Sequence, residues 1–333
     1  MIRRAVVLMS LGGPDSPAAV RPFLYNLFSD PAIIGLPAPL RLPLAWMIAR
    51  RRAPIAGEIY AHLGGASPLL RNTEAQAGAL EEVLGEGYRC FIAMRYWHPL
   101  TAEAVGAVKA WRPDEITCLP LYAQFSTTTA GSSVAAWRRE AARQGLDCPT
   151  RVVRSYPTAP GLIAALTGLI RQALAGVATG DRGVRLLLSA HGLPLKIVRA
   201  GDPYPNDIER TADAVMAALG RPDLDWRICY QSRVGPLAWL GPSVDDEIRH
   251  AGEDGVAIVI APISFVSEHS ETLVELDRDY RLLAERCGVP EYHRVATVGT
   301  DPRFIASLAE LVVGDTAEAG AARQEAEPVR AAP

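Results

Sequence analysis

Two segments of this 333-residue chain carry side chains whose types and spacing suit proton and metal chemistry. The first is LLLSAHG (186–192), in which His191 closes an apolar run and precedes a glycine. That pattern places the imidazole at the end of a buried strand, at a turn, where neighbours can desolvate it and hold it as a proton acceptor near neutral pH. A purely structural or solvent-facing role is also open to it. The second is SEHSETLVELDRD (267–279). Ser267 is placed to cap a helix whose first turn is acidic, as the helix dipole favours. Glu271, Glu275 and Asp279 are spaced i, i+4, i+8 and so share one helix face, where like charges repel. Three stacked carboxylates suit a hard divalent cation or a relay of protons or metal. The alternative is a solvated face whose charge Arg278 and Arg281 relieve.

Other polar segments are less specific. QFSTTTAGSS (124–133) offers hydroxyls at a helix start, able to hold an anion or simply to cap the helix. GGASP (64–68) follows a helical stretch and makes a poor phosphate loop. There is no H-E-x-x-H, no Cys/His zinc spacing, no EF-hand loop, no G-x-G-x-x-G after a strand and no Walker A motif. Tyr60, RYWHP (95–99), Tyr122 and Trp239 add aromatic and basic groups, several at strand ends. A large flat apolar ligand with carboxylate arms would want such a lining, with the arginines at 50–52 near its rim. Each aromatic could equally be core.

The elements that must position these residues alternate. Short apolar, β-branched runs at 5–11, 88–94, 115–121, 151–154, 184–190, 226–230, 256–261 and 294–298 read as strands. Helical patterns fall between them, for example at 73–84, 102–110, 162–173 and 207–219, with 305–313 after the last strand. Continuously apolar strands alternating with helices imply an α/β protein with parallel sheets covered on both faces. The pattern runs twice: LMSLGGP (8–14) resembles LLSAHGLP (187–194), and TCLPLY (117–122) resembles VIAPIS (259–264). Two similar lobes joined around 156–161 would explain this weak repeat. Ligands of open α/β sheets bind outside the carboxyl ends of the strands, where all four segments fall.

Hydrophobic residues make up 49% of the chain and charged residues 21%, enough to bury ordinary cores. A net charge of -3 argues against general nucleic-acid binding. The five cysteines are odd in number and irregularly spaced, which reads as free thiols in a reducing cytoplasm rather than a disulfide or zinc framework. The opening MIRRAVVLM is interrupted by Gly12 and Gly13 and reads as a buried strand rather than a secretory leader. No apolar run is clean over the roughly 20 residues that a bilayer requires. The segment 31–52 is apolar, broken by Pro31, Pro37, Pro39 and Pro43 and closed by a basic cluster. It could be a cleft lid, a lipid-touching flap, or a helical hairpin packed on the core. Residues 314–333 read as a frayed tail.

Taken together these motifs resemble the ferrochelatases, which insert ferrous iron into a porphyrin to make haem. The matching elements are LGGP (11–14), RRAP (51–54), GGASP (64–68), RYWHP (95–99), QFSTTTAGSS (124–133), SAHGLP (189–194), GDPYP (201–205), QSRVGPLAWLGP (231–242) and SEHSETLVELD (267–277). The resemblance runs in order from about residue 5 to about 313. It implies two Rossmann-like lobes, 1–155 with the apolar lip and 156–313 with His191 and the acidic helix, and a porphyrin cleft between them. It implies His191 and Glu271 as the catalytic pair, and His191, Glu271, Glu275 and Asp279 as metal-handling groups on a helix locally widened to a π-helix. An ideal α-helix would let an i, i+4, i+8 row drift by roughly 80°, so such a bulge would re-aim it. Tyr60, Arg95, Tyr96, Tyr122 and Trp239 match pocket-lining positions, Arg52 and Ser67 match positions that handle propionates, and Leu11 matches the residue facing the other side of the macrocycle.

The chemistry agrees with that reading. Metal insertion requires bending the ring, removing two N–H protons and stripping water from the iron. An apolar clamp serves the first, and a neutral histidine beside a carboxylate serves the others. The resemblance implies Fe²⁺ and porphyrin as substrates and no tightly bound cofactor. It further implies a cytoplasmic protein, monomer or homodimer, whose lip allows peripheral contact with the inner membrane. Some members hold a [2Fe–2S] cluster through cysteines; Thr127 stands at one such position and no cysteine follows Cys287, so no cluster is expected. Glu268 stands where aspartate is common. A coproporphyrin chelatase, a preference for another metal and a non-enzymatic porphyrin carrier are the alternatives. The long apolar lip leans towards protoporphyrin, and the retained acidic row argues against a carrier.

Overall fold

The computed structural model describes residues 2–178, 183–233, 235 and 237–314. The tail expected beyond 314, and Val234 and Pro236 of the QSRVGPLAWLGP segment, lie outside the described residues.

The first half runs β1 (Arg4–Ser10), α1 (Val20–Phe28), α2 (Ala38–Ala61), α3 (Leu69–Leu84), β2 (Tyr88–Met94), α4 (Thr101–Trp111), β3 (Glu115–Pro120), α5 (Ala130–Gln144) and β4 (Thr150–Val152). The second runs α6 (Pro160–Ala175), β5 (Val184–His191), α7 (Leu195–Arg199), α8 (Tyr204–Leu219), β6 (Asp225–Gln231), α9 (Val244–Asp254) and β7 (Ala257–Pro262). A π-helix (Glu271–Asp279) follows, then α10 (Tyr280–Arg286), β8 (Tyr292–Arg294) and α11 (Pro302–Val313).

The described strands form two four-stranded parallel sheets, ordered β2-β1-β3-β4 and β6-β5-β7-β8. The repeat read in the sequence is therefore one of topology: β1 and β5 hold equivalent places, as do β3 and β7. Met9 lies opposite Pro120 and Ser189 opposite Pro262. The continuously apolar strands are buried on both faces, with Val6, Val7 and Leu8 of β1 and Leu186, Leu187 and Leu188 of β5 fully covered. In each sheet the strand order reverses between β1 and β3, or between β5 and β7, so a crevice opens at the carboxyl ends there.

The largest core cluster joins the sheets, running from Val6 and Leu8 through Leu162, Leu166 and Ile170 of α6 to Leu186 and Leu188, with Phe304 and Leu308 of α11. The last helix packs on α6 and also on α3 of the first half, and Arg151 donates to the carbonyl oxygens of Leu311 and Val312 at its end. Polar contacts reinforce the joint. Gln76 of α3 donates to the carbonyls of Val266 and Gly299, each at 2.9 Å.

Two local expectations are corrected. The last strand is Tyr292–Arg294, not 294–298. The chain leaves the sheet there because the Thr297 amide donates to the Glu268 carboxylate instead of to a ladder partner. Nor does Pro43 break the lip: α2 begins at Ala38, after Pro31 and Pro37, with Pro39 in its first turn, and runs through Pro43 and Pro54. Both are exposed, so water can satisfy the carbonyl that each missing amide leaves free. The lip is a helical hairpin of α1 and α2. Ala45 and Ala49, one turn apart, are its fully buried small residues, while Leu42, Trp46 and Met47 face outwards.

Candidate active site

His191 is the last residue of β5 and is fixed on three sides. Its amide donates to Ser264 Oγ at 3.0 Å, its carbonyl accepts from the Tyr204 hydroxyl at 3.1 Å, and its Nδ1 lies 2.6 Å from the Gly192 carbonyl oxygen. A proton on Nδ1 directed at that carbonyl leaves Nε2 as the working nitrogen. A glycine is required at 192, because a Cβ there would sit 2.8 Å from the Gln231 carbonyl and 3.3 Å from the Trp239 ring. Trp239 reaches this position through 237–240 pairing with 193–195: Leu195 donates to Ala238 and Leu240 to Leu193. Its indole Nε1 is buried and finds no partner among the described residues.

Opposite lies Glu271, the first residue of the π-helix. Its Oε1 is 3.5 Å from His191 Nε2 and its Oε2 is 3.5 Å from His269 Nε2. Phe265 stands between the two imidazoles, with ring centroids 4.6 Å from His269 and 6.3 Å from His191. Burial alone would raise the Glu271 pKa, but the facing histidines hold it well below the usual carboxylate range. Burial likewise disfavours a charged His191, yet the Glu271 carboxylate raises that ring from 6.5 to about 9. The facing Glu271 carboxylate thus favours the protonated form of His191.

Glu275 follows one turn on. Its carboxylate accepts from the Ser232 amide at 2.8 Å, the Ser232 hydroxyl at 2.5 Å, Gln231 Nε2 at 3.1 Å and the Tyr280 hydroxyl at 3.1 Å. Burial, and then the nearby Glu271 charge, raise its pKa despite those donors. The widened helix is visible in the Tyr280 amide donating to the Glu275 carbonyl, five residues back. Gln231 and Tyr292 take the carbonyls of Glu271 and Leu276, at 3.0 and 2.6 Å. Ser267 does not cap this helix; its hydroxyl donates to Gln76 Oε1. Glu268 anchors its start instead, accepting from Thr272 Oγ1 at 2.5 Å and from Arg294 at 2.9 Å. Asp279 stands apart from the acidic pair, at the exposed end and 2.9 Å from Arg278. Among the described residues no three acidic, histidine or cysteine side chains converge as a ready-made metal cage.

The first half supplies the facing wall. Leu11 follows β1, and its carbonyl accepts from the Tyr96 amide at 3.0 Å. Tyr60, at the end of α2, has its hydroxyl raised to about 12 by burial, with the Glu271 charge adding to the effect. The Ser67 hydroxyl sits where a Cβ on Gly13 would be, at 2.4 Å, so LGGP and GGASP are packed face to face. Arg95 and Tyr122 follow β2 and β3. Arg52 lays its guanidinium over the Phe28 ring, 5.8 Å from the centroid. Tyr96 does not line the cleft: its side chain is 1% exposed and its hydroxyl donates to Asp30. The hydroxyl segment does not form a free anion site either. Asp202 accepts from Ser126 Oγ and from the amide and hydroxyl of Thr127, and Asp207 accepts from the Phe125 amide.

Several participants were not singled out from the sequence. His269 was visible only as the histidine two places before Glu271. Tyr204 lies in GDPYP and Ser264 ends VIAPIS, so their motifs were noted but not their bonds. Ser232 likewise lies in QSRVGPLAWLGP, whereas Phe265 and Asp30 carry no local signal.

A parallel-sheet, two-lobed α/β fold with a histidine–glutamate–histidine group at the strand ends defines the class: a chelatase fold. It superposes on SirB from Bacillus subtilis with Fe³⁺ at a TM-score of 0.55 and 13% identity, covering 94% of this chain and 96% of that one. The sirohydrochlorin chelatase SirB of Bacillus subtilis subspecies spizizenii, in complex with cobalt, gives 0.53 and 11%, covering 93% and 94%. The chain belongs to the ferrochelatase family, whose pattern it matches over residues 3–315. It is 54% identical to the ferrochelatase of Caulobacter vibrioides over 92% of this chain and 89% of that one. It is 54% identical to that of Phenylobacterium zucineum over 96% and 94%, and 47% identical to that of Wolbachia pipientis wMel over 94% and 99%.

Proposed function

We propose that this chain inserts Fe²⁺ into protoporphyrin IX, releasing the two pyrrole protons, as the terminal step of haem biosynthesis. The observation that carries the reading is the Glu271 carboxylate held between His191 and His269, 3.5 Å from each. In the resting site the His191–Glu271 pair stores one proton. A divalent cation at the pair displaces that proton to water along the acidic helix, because a metal-ligating histidine must be neutral. As the cation passes to the ring nitrogens it leaves the imidazole, which accepts one pyrrole proton while the Glu271 carboxylate accepts the other. Glu275 lies one turn further along the same helix and passes metal or proton onwards, with Asp279 at the solvent end. Leu11, Tyr60, Tyr122 and Trp239 bound the macrocycle with Arg95, and Arg52 and Ser67 meet its carboxylate arms.

The lobes divide near residue 155, and the cleft lies between them. The chain acts in the cytoplasm without an iron–sulfur cluster; Thr127 Oγ1 is committed to Asp202 at 2.6 Å. No described helix is long and apolar enough to cross a membrane. The lip instead rests on the membrane surface, a role favoured by the exposed Leu36, Leu40, Leu42, Trp46 and Met47 beside Arg50 and Arg51. The deciding experiment mixes the purified protein with Fe²⁺ and either protoporphyrin or coproporphyrin under anaerobic conditions and follows the metalloporphyrin spectrum. Turnover of protoporphyrin is expected; no turnover of either porphyrin refutes the enzyme reading. For the lip, Leu40→Ser with Trp46→Ser should reduce co-sedimentation with anionic vesicles.

A further inference from the structure

Asp30 lies in the turn between α1 and α2, at the base of the lip, and is 4% exposed. Its Oδ1 accepts from the Ala32 amide at 2.9 Å. Its Oδ2 accepts from Arg95 Nη2 at 2.7 Å, from the Tyr96 hydroxyl at 2.7 Å and from Ser132 Oγ. One buried carboxylate therefore joins three elements: the lip, the carboxyl end of β2 and the first turn of α5. Arg95 is held twice, because its Nε also donates to Ser132 Oγ at 2.8 Å. Its Cζ lies 5.0 Å from the Tyr96 ring centroid. A guanidinium is planar, so fixing two of its nitrogens fixes the direction of the third. Burial would raise the Asp30 pKa, but its hydrogen-bond donors and Arg95 bring it below the ordinary carboxylate value, so the anchor is charged.

We propose that Asp30 is a positioning residue for the porphyrin: it fixes Arg95 as part of the cleft wall and ties that wall to the base of the lip, so that lip and wall hold the macrocycle as one unit. This rests on the proposed porphyrin chemistry. Asp30 touches neither the His191–Glu271 pair nor the acidic helix, so it acts on the porphyrin and not on the iron.

The test is a double-mutant cycle on steady-state kinetics with Asp30→Asn, Arg95→Met and the double variant, each checked for folding by far-UV circular dichroism. Asp30→Asn should raise the porphyrin KM by about fivefold or more, leaving kcat and the iron KM within about twofold. In the Arg95→Met background the same substitution should change the porphyrin KM by less than about twofold. Ser132→Ala removes the hydroxyl shared by Arg95 and Asp30 while burying no unpaired charge. It should raise the porphyrin KM by about twofold, and it carries the test if Asp30→Asn does not fold. The proposal is overturned by a folded Asp30→Asn with an unchanged porphyrin KM, by an equal effect in the Arg95→Met background, or by an iron KM that rises in step. It is also overturned by an unchanged porphyrin KM in Ser132→Ala where Asp30→Asn does not fold. A wild-type protein that turns over no porphyrin would overturn the proposed function and this inference with it.

Discussion

His191 Nε2 lies 3.5 Å from Glu271 Oε1, joining the end of a strand to the start of a π-helix 80 residues later in the chain. The pair is partly open, with side-chain exposures of 40% and 29%. A substrate can therefore reach it from the cleft, while Phe265 and His269 close the side behind it.

Replacing His191 by alanine should remove metal insertion while porphyrin binding stays measurable. General acid–base groups commonly contribute about 10²–10⁴-fold in rate, so a loss of that order is expected in anaerobic assays. Fluorescence quenching of the porphyrin reports binding separately. A variant that turns over normally would remove His191 from the mechanism.

The charge on His191 has a defined pH signature. Its folded pKa is raised from 6.5 to about 9, so the pairing stabilises the fold fully below about pH 6.5 and is lost as pH rises through about 9. The ring is partly exposed, and solvent screening keeps the contribution to about 1 kcal/mol or less. Histidine NMR titration of the ligand-free protein should show the high midpoint, and Glu271→Gln should bring it down. An identical midpoint in the variant would break the assigned cause.

Gly192→Ala should lower kcat and stability together. The added Cβ would meet the Gln231 carbonyl at 2.8 Å, and Gln231 also holds Glu271 and Glu275. Overpacking of this kind typically costs about 1–3 kcal/mol, readable by denaturant unfolding. Wild-type stability and rate in the variant would mean that the strand end relaxes freely.

Glu268→Ala should destabilise the chain by about 1–3 kcal/mol, because it removes the carboxylate partner of the Thr297 amide and leaves Thr272 Oγ1 only the His269 carbonyl to donate to and Arg294 only Asp277 and the Val295 carbonyl. Thr272→Val removes one of those bonds and should cost less. Chemical denaturation of both variants orders them; the reverse order would show that Glu268 is not the anchor of the π-helix.

Much of the molecule was legible in the residues themselves. The strand runs at 88–94 and 184–190 match β2 and β5 within a residue, because a doubly buried parallel strand has to be continuously apolar. The placing of His191 at a strand end, the four-residue spacing of Glu271 and Glu275, and the family resemblance of the motifs are likewise properties of the chain alone. What the tertiary structure decided is which distant groups meet. The Glu271 carboxylate is shared between His191 and His269, Glu275 is satisfied by Ser232 and Asp279 is left at the surface. Tyr96 turns away from the cleft towards Asp30, 66 residues earlier. Ser267 bonds Gln76 rather than a helix end, 191 residues away in the chain. Local periodicity records which face of an element is buried. It carries no record of hydrogen bonds and charges contributed by residues tens to hundreds of positions away, and those partners set the protonation and the aim of each side chain in this site.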